Sequence, residues 1–124
     1  MNRSNRQMPE ADKFLRGFNL VQGTRFGQYT LSSAISTHRS IKRYREYAYD
    51  ITLQFHPDTT VTPTNYKELY NQLVNKISQP QIIYGIRNPY RCLIDIPPED
   101  NFSSIHLDEL GNVVFHLLGH AYRT

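Results

Sequence analysis

Between Tyr47 and His56 the chain alternates strictly. Tyr47, Tyr49, Ile51, Leu53 and Phe55 are interleaved with Ala48, Asp50, Thr52, Gln54 and His56. Successive side chains of a strand point to opposite faces, so a period of two predicts a strand with one buried face. Strands of this kind belong to antiparallel sheets that are wet on one side. Pro57 ends the run, and the period then changes. Tyr66, Leu69, Tyr70, Leu73, Val74 and Ile77 recur at i, i+3, i+4, i+7, i+8 and i+11, which is the stripe of an amphipathic helix. Thr62-Pro63 offers it an N-cap and a first-turn proline, and Ser78-Gln79-Pro80 stops it.

Alternation returns downstream. Gln81 to Ile86 and Tyr90 to Ile96 read as two strands turning through Arg87-Asn88-Pro89, and Pro97-Pro98-Glu99-Asp100 is a break. Ser104 to Glu109 and Asn112 to His120 read as a hairpin around Leu110-Gly111, where glycine supplies the positive φ of the turn. In its second arm Val113, Phe115 and Leu117 face the core, while Val114, His116, Leu118 and His120 face the other way.

Upstream the signals are sparser. Pro9 to Gly17 reads as a short helix with Ala11, Phe14, Leu15 and Phe18 on one face and Gly17 as its stop. Phe18-Asn19-Leu20-Val21 and Phe26 to Leu31 suggest the arms of a hairpin, and residues 32–40, rich in Ser and Thr, read as a loop. The sum is an α+β fold: a mostly antiparallel sheet packed by one main amphipathic helix, with a short N-terminal helix. At 124 residues a single domain is expected, with 1–8 a flexible tail, 9–45 an N-terminal region and 46–124 the α+β core.

Composition narrows the function classes. One cysteine, Cys92, excludes an intrachain disulfide and with it a secreted disulfide scaffold. The longest apolar stretch, Val113 to Leu118, is interrupted by His116, and no apolar segment follows the N-terminal basic residues. A soluble intracellular protein with no membrane partner is therefore expected. The six glycines form neither a dinucleotide fingerprint nor a Walker loop, so no cofactor is expected. The spacing of His116 and His120 suits a metal on a helix, but four residues of strand span roughly 13 Å, too far for one ion; no metal is expected. Cys92 beside apolar strand neighbours reads as a small core residue. Glu99-Asp100 and Asp108-Glu109 read as solvated turn acids.

Charge is unevenly spread. The first fifty residues hold nine Lys and Arg against four acids, 9 − 4 = +5, and the remainder gives 5 − 7 = −2. Arg39, Lys42, Arg43 and Arg45 crowd together around Tyr44. Guanidinium forks fit phosphate, and an aromatic face stacks on any base. These five residues are therefore the candidate nucleic-acid contact, with Arg3, Arg6, Lys13, Arg16 and Arg25 extending the field. The competing structural role is protection of a strand edge from unwanted pairing.

Tyr90-Arg91-Cys92-Leu93-Ile94-Asp95-Ile96 and Val113 to His120 look like the closing strands of RelE-type ribonuclease toxins, over about a quarter of the chain. The resemblance implies metal-independent RNA cleavage, with Arg87, Arg91, His116, His120, Tyr122 and Arg123 as candidates. This chain departs from that family in having one helix after its first strand rather than a helical hairpin, and some forty-five extra residues in front. The leading expectation is a small non-catalytic binding protein that engages nucleic acid or another acidic partner through its basic N-terminal half. Tyrosine content favours, as the alternative, a protein partner or homo-oligomer, that is, an adaptor or assembly component.

Overall fold

A computed structural model describes residues 8–39, 46–58, 67–98 and 104–124. Two helices and seven strands occur in these segments: α1 (Ala11–Gly17), β1 (Arg25–Phe26), β2 (Tyr29–Arg39), β3 (Glu46–Pro57), α2 (Lys67–Lys76), β4 (Gln81–Tyr84), β5 (Pro89–Asp95), β6 (Ile105–Leu107) and β7 (Val113–Arg123). All the pairings are antiparallel, and the sheet order is β1-β2-β3-β7-β5-β4, with β6 also on β7. The result is an α+β fold whose sheet curls into a half-barrel. None of the helices is long and apolar enough to cross a membrane among the described residues.

The alternation read in β3 sets the two faces. Tyr49, Ile51, Leu53 and Phe55 lie opposite Gly119, Leu117, Phe115 and Val113 of β7 and are buried with them. Cys92 and Ile94 of β5 continue this inner layer. Each large side chain so buried contributes about 1.5–3 kcal/mol. Leu69 and Leu73 of α2 are buried in the same core, and the start predicted for this helix, Thr62-Pro63, lies outside the described residues.

Helix α1 lies on the inner face. Phe14 is fully buried, stacks on Tyr49 with ring centroids 4.4 Å apart and touches Phe18 at 5.1 Å. The Tyr49 hydroxyl donates to the Pro9 carbonyl at 2.6 Å, tying the approach of the helix to β3. Gly119 makes this docking possible, because a Cβ there would sit 2.7 Å from Phe14 Cζ and 3.0 Å from Ile51 Cδ1. The helix stop is Asn19, not Gly17. Asn19 takes φ 59°, its N–H donates to Arg16 and that of Leu20 donates to Leu15, satisfying the last carbonyls as a left-handed C-cap does.

Two other readings are corrected. Phe18 to Val21 forms no strand; the N-terminal hairpin turns instead at Gly27-Gln28, between β1 and β2. Residues 32–39, read as a loop, are strand β2, paired with β3 from Tyr29 to Arg39 with a bulge between Leu31 and Ser33. The bulge shifts the alternation, so Ala34, Ser36 and His38 fall on the inner face. Ala34 packs against the core there, while Ser36 and His38 are half-buried. Elsewhere β5, β6 and β7 match the expected strands closely, and Gly111 takes φ 83° in the β6–β7 turn.

Candidate functional site

The register places the outer-face side chains in rows across the sheet. Ile82, Arg91, Tyr122 and Glu46 form one row, from β4 through β5 and β7 to β3. Leu93, His120, Ala48 and Arg39 form the next. Asp95, Leu118, Asp50 and Thr37 follow, and then His116, Thr52 and Ile35.

Of the five predicted contact residues, Arg39 is described, whereas Lys42, Arg43, Tyr44 and Arg45 lie outside the described residues. Arg39 is exposed at the end of β2, and its guanidinium is 4.0 Å from Asp50, with both side chains 59% exposed. A pair so open to water holds little energy and leaves the arginine available. The chain resumes at Glu46, the first residue of β3.

Three arginines of the acidic C-terminal portion reach the same end of the sheet. Arg91 lies in the row of Tyr122 and Glu46, Arg123 pairs in register with Tyr90, and Arg87 occupies the turn between β4 and β5. All three are exposed, and none is in an ion pair among the described residues. Tyr84, at the end of edge strand β4, stands beside them with 56% of its surface exposed. Sequence reasoning missed this grouping because strand order decides it. Among the other N-terminal cations, Lys13 and Arg16 are exposed on α1, while Arg25 is held in a two-pronged pair with Asp58 at 2.9 Å; Arg3 and Arg6 lie outside the described residues.

The carboxylates at this end are largely engaged by His120. Its Nε2 is 2.8 Å from Asp95 Oδ2, and its Nδ1 is 3.3 Å from Glu46 Oε1. The Glu46 contact lacks hydrogen-bond alignment, which leaves Nδ1 buried without a partner in that sense. The two acids sit at opposite ring nitrogens, so they flank the imidazole instead of converging on an ion. Tyr122 stacks on His120 at 6.0 Å, and burial, followed by the Glu46 charge, raises its phenol pKa.

The other histidines behave separately. His116 stacks on His106 with centroids 5.1 Å apart and approaches Thr52 Oγ1 at 3.4 Å. No group of three ligands suited to a metal occurs among the described residues. Cys92 is buried, and its thiol is pushed up to about 12 by that burial, the opposite of what a nucleophile requires. Asp108 accepts the Leu110 and Asn112 N–H groups at 2.9 Å and so organises a turn; Glu99-Asp100 lies outside the described residues. Of the six residues suggested by the ribonuclease resemblance, Arg91, His116, His120 and Tyr122 share the outer face, Arg123 lies on the inner side and Arg87 in a turn.

Where β5 and β6 part along β7, an open groove of about 890 Å³ runs past Tyr70, Val74, Ile96, His116 and Leu118. No protein-family model, curated protein or solved structure matches the chain.

Proposed function

We propose that this is a non-catalytic binding protein that engages nucleic acid through one end of its sheet. The observation that supports the reading is the grouping of Arg87, Arg91 and Arg123 with Arg39. Lys42, Arg43 and Arg45 fall among the six residues between Arg39 and Glu46 in the sequence, and we assign them to the same contact. Half of the fourteen Lys and Arg residues are thereby assigned to one region. Its nearest carboxylates are Glu46, Asp50 and Asp95, two of which lie against His120. Such a local excess attracts a polyanion through release of its counterions.

Fluorescence anisotropy with a labelled single-stranded oligonucleotide tests this. With about seven phosphates neutralised, log affinity falls against log salt with a slope of about −5. The triple variant R87A/R91A/R123A reduces that slope by about 2, and R39A/K42A/R43A/R45A reduces it by about 3. Absence of binding at low salt, or a slope unmoved by both variants, rejects the reading.

A further inference from the structure

We infer that the nucleic acid engaged at this end is single-stranded and stacks on Tyr84; this rests on the reading above and specifies its ligand. Tyr84 is 56% exposed on the outer side of β4, with Arg87 in the turn that follows it and Arg91 diagonally across the β4–β5 pairing. Tyr122, partly exposed, lies two strands away on the same face with Arg91 on the strand between them. Tyr84 is opposite Pro89 and Tyr122 opposite Arg91, so two strand spacings of about 4.8 Å and a two-residue offset of about 3.4 Å each put the tyrosines roughly 12 Å apart. Arg91 lies diagonally between the two rings, with Ile82 directly opposite it on β4. Unpaired bases stack on such rings while the guanidinium serves the intervening phosphate or adds a flat cationic face.

A duplex conceals the faces of its bases in its own stack. It offers this surface phosphates alone. The exposed ring thus discriminates between strands where charge does not. Self-association through the β4 edge is the competing use of Ile82, Tyr84 and Ile86, which are 54%, 56% and 68% exposed. A four-residue strand presents far less than the roughly 800 Å² per partner that a stable interface buries, whereas an exposed aromatic among arginines without an ion pair among the described residues suffices as a stacking platform.

The test compares a single strand and a duplex of equal charge against the full chain, Y84A and Y84F, with sedimentation in parallel. The expected result is that Y84A loses about tenfold in single-strand affinity, keeps its duplex affinity and salt slope, and that Y84F behaves as the parent. Its surface position keeps Y84A folded, which a melting curve verifies. Salt-dependent binding of both strands with equal affinity, unmoved in Y84A, overturns the stacking inference and leaves the charge reading standing. A parent that sediments as a dimer while Y84A is monomeric also overturns it, by making the ring an assembly contact. No binding of either strand by the parent rejects both.

Discussion

Replacing Gly119 with alanine drives a methyl group into the seat of α1. The added carbon meets Phe14 Cζ at 2.7 Å, Phe14 Cε1 at 2.8 Å and Ile51 Cδ1 at 3.0 Å. Carbon atoms pack comfortably at about 3.5–4.0 Å, so the ring has to retreat by most of an ångström. It has little room, because Tyr49 stacks on it at 4.4 Å and Phe18 stands at 5.1 Å. Overpacking of this kind costs about 1–3 kcal/mol. Alanine recovers about 0.4–1 kcal/mol by restricting the unfolded chain. The net expectation is a loss of about 1–2 kcal/mol, seen as a melting temperature roughly 3–10 °C lower by circular dichroism. Phe14→Leu shortens the obstructing side chain and leaves space of its own, costing about 1–2 kcal/mol in the parent. In the G119A background it costs measurably less, because each change relieves the other. A G119A protein as stable as the parent, or strictly additive effects in the double variant, would refute the docking of α1 over Gly119.

Two further outcomes follow from titratable groups on the inner layer. Burial lowers the pKa of His38 below its ordinary 6.5, so the unfolded chain takes up the proton more readily. Stability from this group is complete above pH 6.5 and is lost as pH falls from there through the lower folded value; H38Q should flatten the change in melting temperature between about pH 7.5 and 5.5, and an unchanged profile contradicts the burial of that ring. Cys92, with its thiol raised to about 12, should resist a soluble thiol reagent at pH 8 in the folded protein and react fully in denaturant. Rapid labelling of the native chain would contradict its buried position on β5, between β4 and β7.

What was legible in the sequence was whatever a regular burial pattern dictates. β3 and β7 have both neighbours in place and bury every second residue along much of their length, from Tyr49 to Phe55 and from Phe115 to Ala121. Strand β2 was illegible for the opposite reason. Beyond Thr30 it pairs with β3 alone among the described residues, carries a bulge and places Ser36 and His38 on its inner side. Hydrogen bonding holds it as a strand without an apolar stripe to announce it. The stop of α1 was misplaced because glycine is the usual left-handed residue, and asparagine is the common exception. The candidate site was half visible. Its N-terminal charges are adjacent in sequence, but Arg87, Arg91 and Arg123 join them through strand order, which local pattern does not encode.

Strand β7 carries a consequence for how the chain acquires its structure. It is the seam on which β3 meets β5, and it also holds β6. Every strand that it joins precedes it in the sequence. The β1-β2-β3 meander and the β4-β5 hairpin can each form locally as they are synthesised, but neither has its hydrogen-bonded partner until residues 113–123 arrive. Pairing Thr52 with His116 closes a loop of more than sixty residues before any contact rewards it. Folding is therefore expected to be slow for a chain this size, on the millisecond-to-second scale of non-local sheets. Until the seam closes, the edges of β3 and β5 stand open to other chains.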